Sequence, residues 1–297
     1  MVNLWNPHSI GLSIGLILLT ALLLGMVHGI TPDEHTWPIT FSYAIGTYSR
    51  RGGMKSGLLF SLAFTLQRAI ASELAFLALA RFLFKGSWEY IVYAIVGTVM
   101  AGSGAYILKG NQHFHFFHFA DHLPKHGPRN PGPIPTYMPL VHGFIAGWGT
   151  GAFALIVYTV LAPTMHHWYL AFLPGLFFGI GTTLMQILFG SAVGLWMEKR
   201  HLSSDAKSYV ARKVSGQTLL YGGFAFVLAA MLGMVFPGVS HWEITTGIKV
   251  HNLDHLGIGF VLAVVVLFFV AWISFVRSLR DVEHSNISGN QGNWINP

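Results

Sequence analysis

Seven stretches of this chain are long and apolar enough to cross a bilayer, at residues 9–29, 54–84, 88–108, 137–160, 168–197, 214–236 and 256–279. A hydrocarbon core about 30 Å thick takes roughly 20 helical residues to span. Lipid offers the backbone no hydrogen-bonding partner, so these stretches are expected as helices rather than open strands. Composition agrees: only 9% of residues are charged, mean hydropathy is +0.55, and a water-soluble surface could not be covered. Soluble domains carry about 25% charged residues. No Lys or Arg precedes the first apolar run, which is therefore expected as a retained span rather than a cleaved signal.

The net charge of +6 is explained by topology rather than by nucleic acid, which is not an expected partner. With seven spans, Arg81, Lys85 and Lys249 fall on one side, Arg68 lies within a span, and every other Lys and Arg falls on the opposite side. The positive-inside rule then puts the N-terminus outside and the C-terminus in the cytoplasm of a multi-pass inner or plasma membrane protein. Expected partners are membrane lipids, with a homo-oligomer left open. The chain has no cysteine, which removes disulfides, thiolate catalysis and Cys-based metal sites, but it has 16 histidines.

Two halves echo each other. Met26-Val27-His28-Gly29 resembles Leu140-Val141-His142-Gly143, and Gly57-Leu58-Leu59-Phe60 resembles Gly175-Leu176-Phe177-Phe178. A three-helix unit crosses an odd number of times, so its copy is inverted. The expected fold is an all-α membrane bundle of about seven transmembrane helices: a 3+3 inverted repeat plus one helix. Its parts are a first unit over 1–110, a His-rich cytoplasmic loop over 111–136, a second unit over 137–236, and a seventh helix with a polar tail over 237–297. The echo carries a difficulty, because His28 falls late in its span and His142 early in its own.

The sharpest motif is Val27-His28-Gly29-Ile30-Thr31-Pro32-Asp33-Glu34-His35, directly after an apolar run and before a stretch, 36–48, too short to span. On a straight helix His28 and His35 would stand about 10 Å apart, too far to share an ion. Gly29 and Pro32 are expected to break the helix, curl the chain and free backbone groups. Imidazole with carboxylate suits a borderline divalent ion such as nickel, cobalt or zinc. The competing reading is an interfacial polar turn.

The motif resembles the signature H-x-x-x-x-D-H of the nickel/cobalt permeases and the related urease-accessory-type membrane transporters. His28 and Asp33 match in spacing. The second His of the signature falls on Glu34, and the chain's own comes one residue later, at His35. The Gly-His pair of those families' next helix is replaced here by Gln67 or a neighbour, and His142-Gly143-Phe144 is similar to the start of their second half. The resemblance implies secondary transport of nickel or cobalt rather than an enzyme, with His28, Asp33 and His35 as metal ligands and Glu34, Gln67 and His142 completing the site. Arg68 and Glu73, in the middle of a span, are expected to face the interior as charge- or proton-coupling groups, Arg68 holding a carboxylate such as Asp33. His113, His115, His118, His122 and His126 form a metal-collecting loop on composition.

Other classes fare worse. A histidine-bound membrane oxygenase needs paired HxxHH boxes, and the sole adjacent pair, His166-His167, lies in an external turn. A retinal protein needs a lysine in the last span, and 256–279 has none. A transporter of the same fold for an amino acid or an anion stays open through Arg68, since a buried guanidinium suits anions.

Overall fold

In the computed structural model the described residues are 13–77, 88–109, 135–149, 151–236, 238, 242–247 and 255–287. The His-rich loop, with His113, His115, His118, His122 and His126, lies outside them. Helix α1 (Ile14–Ile30) starts at Ser13, whose hydroxyl accepts from the Leu16 amide. It ends just before Pro32, whose missing amide and bulk disfavour helix at the residue in front. Thr31 is accordingly extended, at φ −79° and ψ 141°. The chain re-enters helix at α2 (Trp37–Gly46), with Pro38 in its first turn, where no amide is needed. After a turn at Tyr48, which has φ 40°, come α3 (Arg50–Phe76) and α4 (Trp88–Leu108).

The second half begins with α5 (Tyr137–Ala146), which stops at a Gly147-Trp148-Gly149 turn. Helix α6 (Ala152–Ile156) follows and widens into a π-helical turn over Val157–Leu161. Then come α7 (Leu173–Glu198) and α8 (Ser204–Val235). Strands β1 (Glu243–Thr245) and β2 (His255–Gly257) pair antiparallel, and α9 (Ile258–Val264), a second π-helical turn over Val265–Ala271 and α10 (Trp272–Ile287) close the described chain.

Among the described residues, four helical segments are long and apolar enough to cross a membrane: Arg50–Phe76, Tyr90–Leu108, Trp168–Glu198 and Ser204–Val235. The chain is a helical membrane protein. Its polarity is turned inside out. Leu62 and Leu66 of α3, Leu184 and Leu188 of α7, and Phe224 and Leu228 of α8 face outward, while Ser61, Gln67, Arg68, Gln186, Ser215 and Thr218 are buried. The break after α1 lies within the bundle, and α2 packs on α3, α7 and α8. Helix α8 starts at Ser204, ahead of the apolar run at 214–236, and takes in Asp205, Lys207, Arg212 and Lys213.

Between apolar helices in lipid, small residues and backbone contact replace the hydrophobic effect. A Cβ on Gly25 would strike the Phe178 carbonyl, and one on Gly143 the Phe60 carbonyl. Gly57 meets the carbonyl of Gln186 in the same manner, and Gly175 that of Arg68. Each contact maps onto its partner by moving 118 residues along the chain, the separation of Thr65 and Thr183, whose hydroxyls bond each other at 3.1 Å. Helices α3 and α7 thus cross antiparallel, as do α4 and α8 at Gly97 and Gly223. Outside this core, α10 is tied to α8 by Asp281, which takes Lys213 Nζ at 2.6 Å and the Tyr209 hydroxyl at 2.9 Å.

Candidate functional site

The gap between α1 and α2 carries the polar side chains, and the fold turns all of them inward. His28, Asp33 and His35 are 4%, 6% and 4% exposed in the middle of the bundle. Breaking the helix brings together what a straight helix would hold apart. Asp33 lies between the two imidazoles, with Oδ2 3.7 Å from His28 Nε2 and Oδ1 3.7 Å from His35 Nδ1. Glu34 Oε1 lies 3.1 Å from His35 Nδ1. One donor atom each from Asp33, Glu34 and His35 falls within 4.8 Å of the others. A transition-metal ion held at about 2.1 Å separates neighbouring ligand atoms by roughly 3 Å, so one ion would draw these three atoms closer together.

Five helices build the surroundings. His28 is flanked by Phe64 of α3 (5.8 Å between ring centroids), Phe178 of α7 (5.2 Å) and Phe153 of α6 (6.2 Å). His35 packs on Tyr93 of α4 at 5.1 Å and on Phe226 of α8 at 6.5 Å. The Tyr93 hydroxyl donates to Glu34 Oε1 at 2.9 Å, fixing that carboxylate from a helix far away in sequence. Tyr93 carries no local signal that would have singled it out. Two donors satisfy the Gly29 carbonyl freed by the break: Gln186 Nε2 at 3.1 Å and Trp37 Nε1 at 3.3 Å.

The second break meets the first here. A Cβ on Gly149 would stand 2.6 Å from His35 Nε2, so glycine makes the room that this imidazole occupies. The Gly149 carbonyl accepts from Arg68 Nη1 at 3.0 Å. The expectation that Arg68 holds Asp33 is corrected: its remaining bond from Nη1 goes to the Tyr158 hydroxyl, at 2.8 Å, on the π-helical turn. The cause is the turn at Gly147–Gly149, which leaves a carbonyl unbonded at the level of α3 where Arg68 arises. Arg68 and Gln186 thus serve the two breaks alike, each donating to a freed carbonyl of the other half.

Other residues fall around this centre. Gln67 packs against Gly147, with its Oε1 buried and without a hydrogen bond among the described residues. His142 is held through Nδ1 by the Tyr43 hydroxyl at 2.8 Å and the Met138 carbonyl at 3.1 Å, which joins α2 to α5 outside the Asp33 cluster. Glu73, further along α3, has a buried Oε2 without a hydrogen bond among the described residues. No family model, curated protein or solved structure matches the chain.

Proposed function

We propose that this protein is a secondary transporter of a divalent transition-metal cation, nickel or cobalt by resemblance and zinc by ligand chemistry, across the cytoplasmic membrane. The cation is cargo, taken by Asp33, Glu34 and His35 with His28 alongside. The observation that carries this reading is the buried convergence of two carboxylates and two imidazoles on an interrupted helix. Ionisable groups in a membrane bundle are costly to insert, and they mark ion pathways.

Seven crossings complete the proposal, with the N-terminus outside and the C-terminus inside. The first is α1 with α2, the fourth is α5 with α6 and its π-helical turn, and the seventh is α9 with α10; α3, α4, α7 and α8 supply the rest. The first six form two inverted three-helix units, a relation supported by the matched glycine contacts. In that register Gly25 corresponds to Gly143, so the Val-His-Gly echo is one helical turn out of step and the histidines are not equivalents. Breaks in both units at the level of the site allow one unit to rock against the other, opening the site to each side in turn.

Uptake of nickel, cobalt and zinc into proteoliposomes, with binding to the purified protein, tests this against His28→Ala and Asp33→Ala. Unchanged binding and flux in both variants would reject it. A second reading, carriage of a small anionic solute or amino acid, is favoured by Arg68, a buried cation beside the site. Uptake of labelled amino acids or oxyanions in place of metal by the same vesicles would establish that reading instead.

A further inference from the structure

A cation buried among membrane helices needs an anion near it, because removal from water costs several kcal/mol even after relaxation. Arg68 is 2% exposed, yet among the described residues no carboxylate lies within 4.0 Å of it. Both of its hydrogen bonds leave from Nη1, while Nε is buried and has no partner among the described residues. The guanidinium carbon lies 4.5 Å from the Phe64 ring centroid and 5.6 Å from that of Phe178. Such faces give about 0.5–2 kcal/mol, which offsets only part of the desolvation. The unused Nε edge is the side of a guanidinium that meets a carboxylate with two parallel bonds.

The Arg68 guanidinium shares walls with the ion site. Phe64 and Phe178 wall both His28 and Arg68. Gly149, whose carbonyl receives Arg68, has the His35 imidazole against its α-carbon. Charge follows the same line. Asp33, Glu34 and Arg68 leave one net negative charge with both imidazoles neutral; a divalent cation turns that into one net positive, and a single carboxylate cancels it.

We infer that the site takes its divalent cation together with a small monocarboxylate, which lies on the Nε edge of Arg68 and reaches toward the metal. The inference rests on reading the Asp33 cluster as a metal site. The carboxylate is a co-ligand that neutralises the loaded site in lipid, and Arg68 is its specificity-determining residue.

The test is calorimetric titration of nickel into the full-length protein in nanodiscs, at fixed ionic strength, with nitrate, chloride or acetate as the anion and free nickel held equal. Labelled acetate is also bound by equilibrium dialysis, with and without nickel. Acetate is expected to tighten nickel binding about tenfold or more over nitrate and to be retained only when nickel is present. Arg68→Gln and Arg68→Lys are expected to bind nickel but lose the acetate effect. Lys keeps the charge and lacks the fork, so it decides the matter should Gln fail to fold. Equal nickel affinity in all three anions overturns the inference and leaves the metal site standing. An equal gain from chloride overturns the two-bond assignment, and an acetate effect that survives in Arg68→Lys removes Arg68 from it. Absence of nickel binding in every buffer overturns the metal reading and this inference with it.

Discussion

Between α1 and α2 the chain runs Thr31 to Thr36 and includes Asp33, Glu34 and His35; between α5 and α6 it runs Gly147-Trp148-Gly149-Thr150-Gly151, with nothing ionisable. Both interruptions leave helix for a few residues inside the bundle. The first is broken by proline and filled with imidazole and carboxylate side chains. The second is broken by glycine, and it contributes space and a carbonyl. The difference teaches that two helix interruptions meeting inside one bundle need not contribute alike. One break supplies the chemistry and the other supplies the room: without a bare α-carbon at Gly149, His35 could not lie where it does.

The contrast breaks most easily at Asp33. Asp33→Ala removes the group between both imidazoles and is expected to weaken nickel or cobalt binding about 100-fold or more, measured by calorimetry, since even supporting groups around a metal contribute 10–100-fold. Glycine substitutions sharpen it. Gly149→Ala puts a methyl 2.6 Å from His35 Nε2, whereas nothing lies within 4 Å of a Cβ on Gly151. Overpacking costs about 1–3 kcal/mol, so Gly149→Ala should lose roughly 10–100-fold in metal affinity while Gly151→Ala binds as the parent does. Equal behaviour of the two would remove the second break from the site.

Tyr93→Phe takes away the hydroxyl on Glu34 but keeps the ring beside His35, and about tenfold weaker binding is expected. The smallest effect is reserved for Tyr43→Phe. It deletes the bond to His142 that joins α2 to α5, which should lower thermal stability by about 1 kcal/mol and leave metal affinity within twofold. A large affinity loss there would draw His142 into the cluster after all.

How much of this was legible beforehand depends on the distance over which the cause acts. The break after Ile30 was readable because proline acts on its own peptide unit and the residue before it. The inward turn of Arg68 was readable from the cost of a charge in lipid, but its partner was not. A carboxylate is the commoner partner for guanidinium, and the turn at Gly149 offers a carbonyl in its place. The Val-His-Gly echo runs from His28 to His142, whereas the glycine contacts relate Gly25 to Gly143: short apolar words recur by chance, while helix contacts are set by which residues lack a side chain.

From its sequence alone this chain is determined to be helical and membrane-embedded, with one interruption rich in imidazole and carboxylate, because hydropathy, helix length and proline geometry act locally. The tertiary structure alone decided that Asp33 stands between two histidines, that Tyr93 steadies Glu34 from 59 residues away, and that Arg68 faces a carbonyl 81 residues on. Those pairings come from how helices cross. Crossing is governed by backbone contact at scattered glycines, whose partners across the bundle no local pattern names.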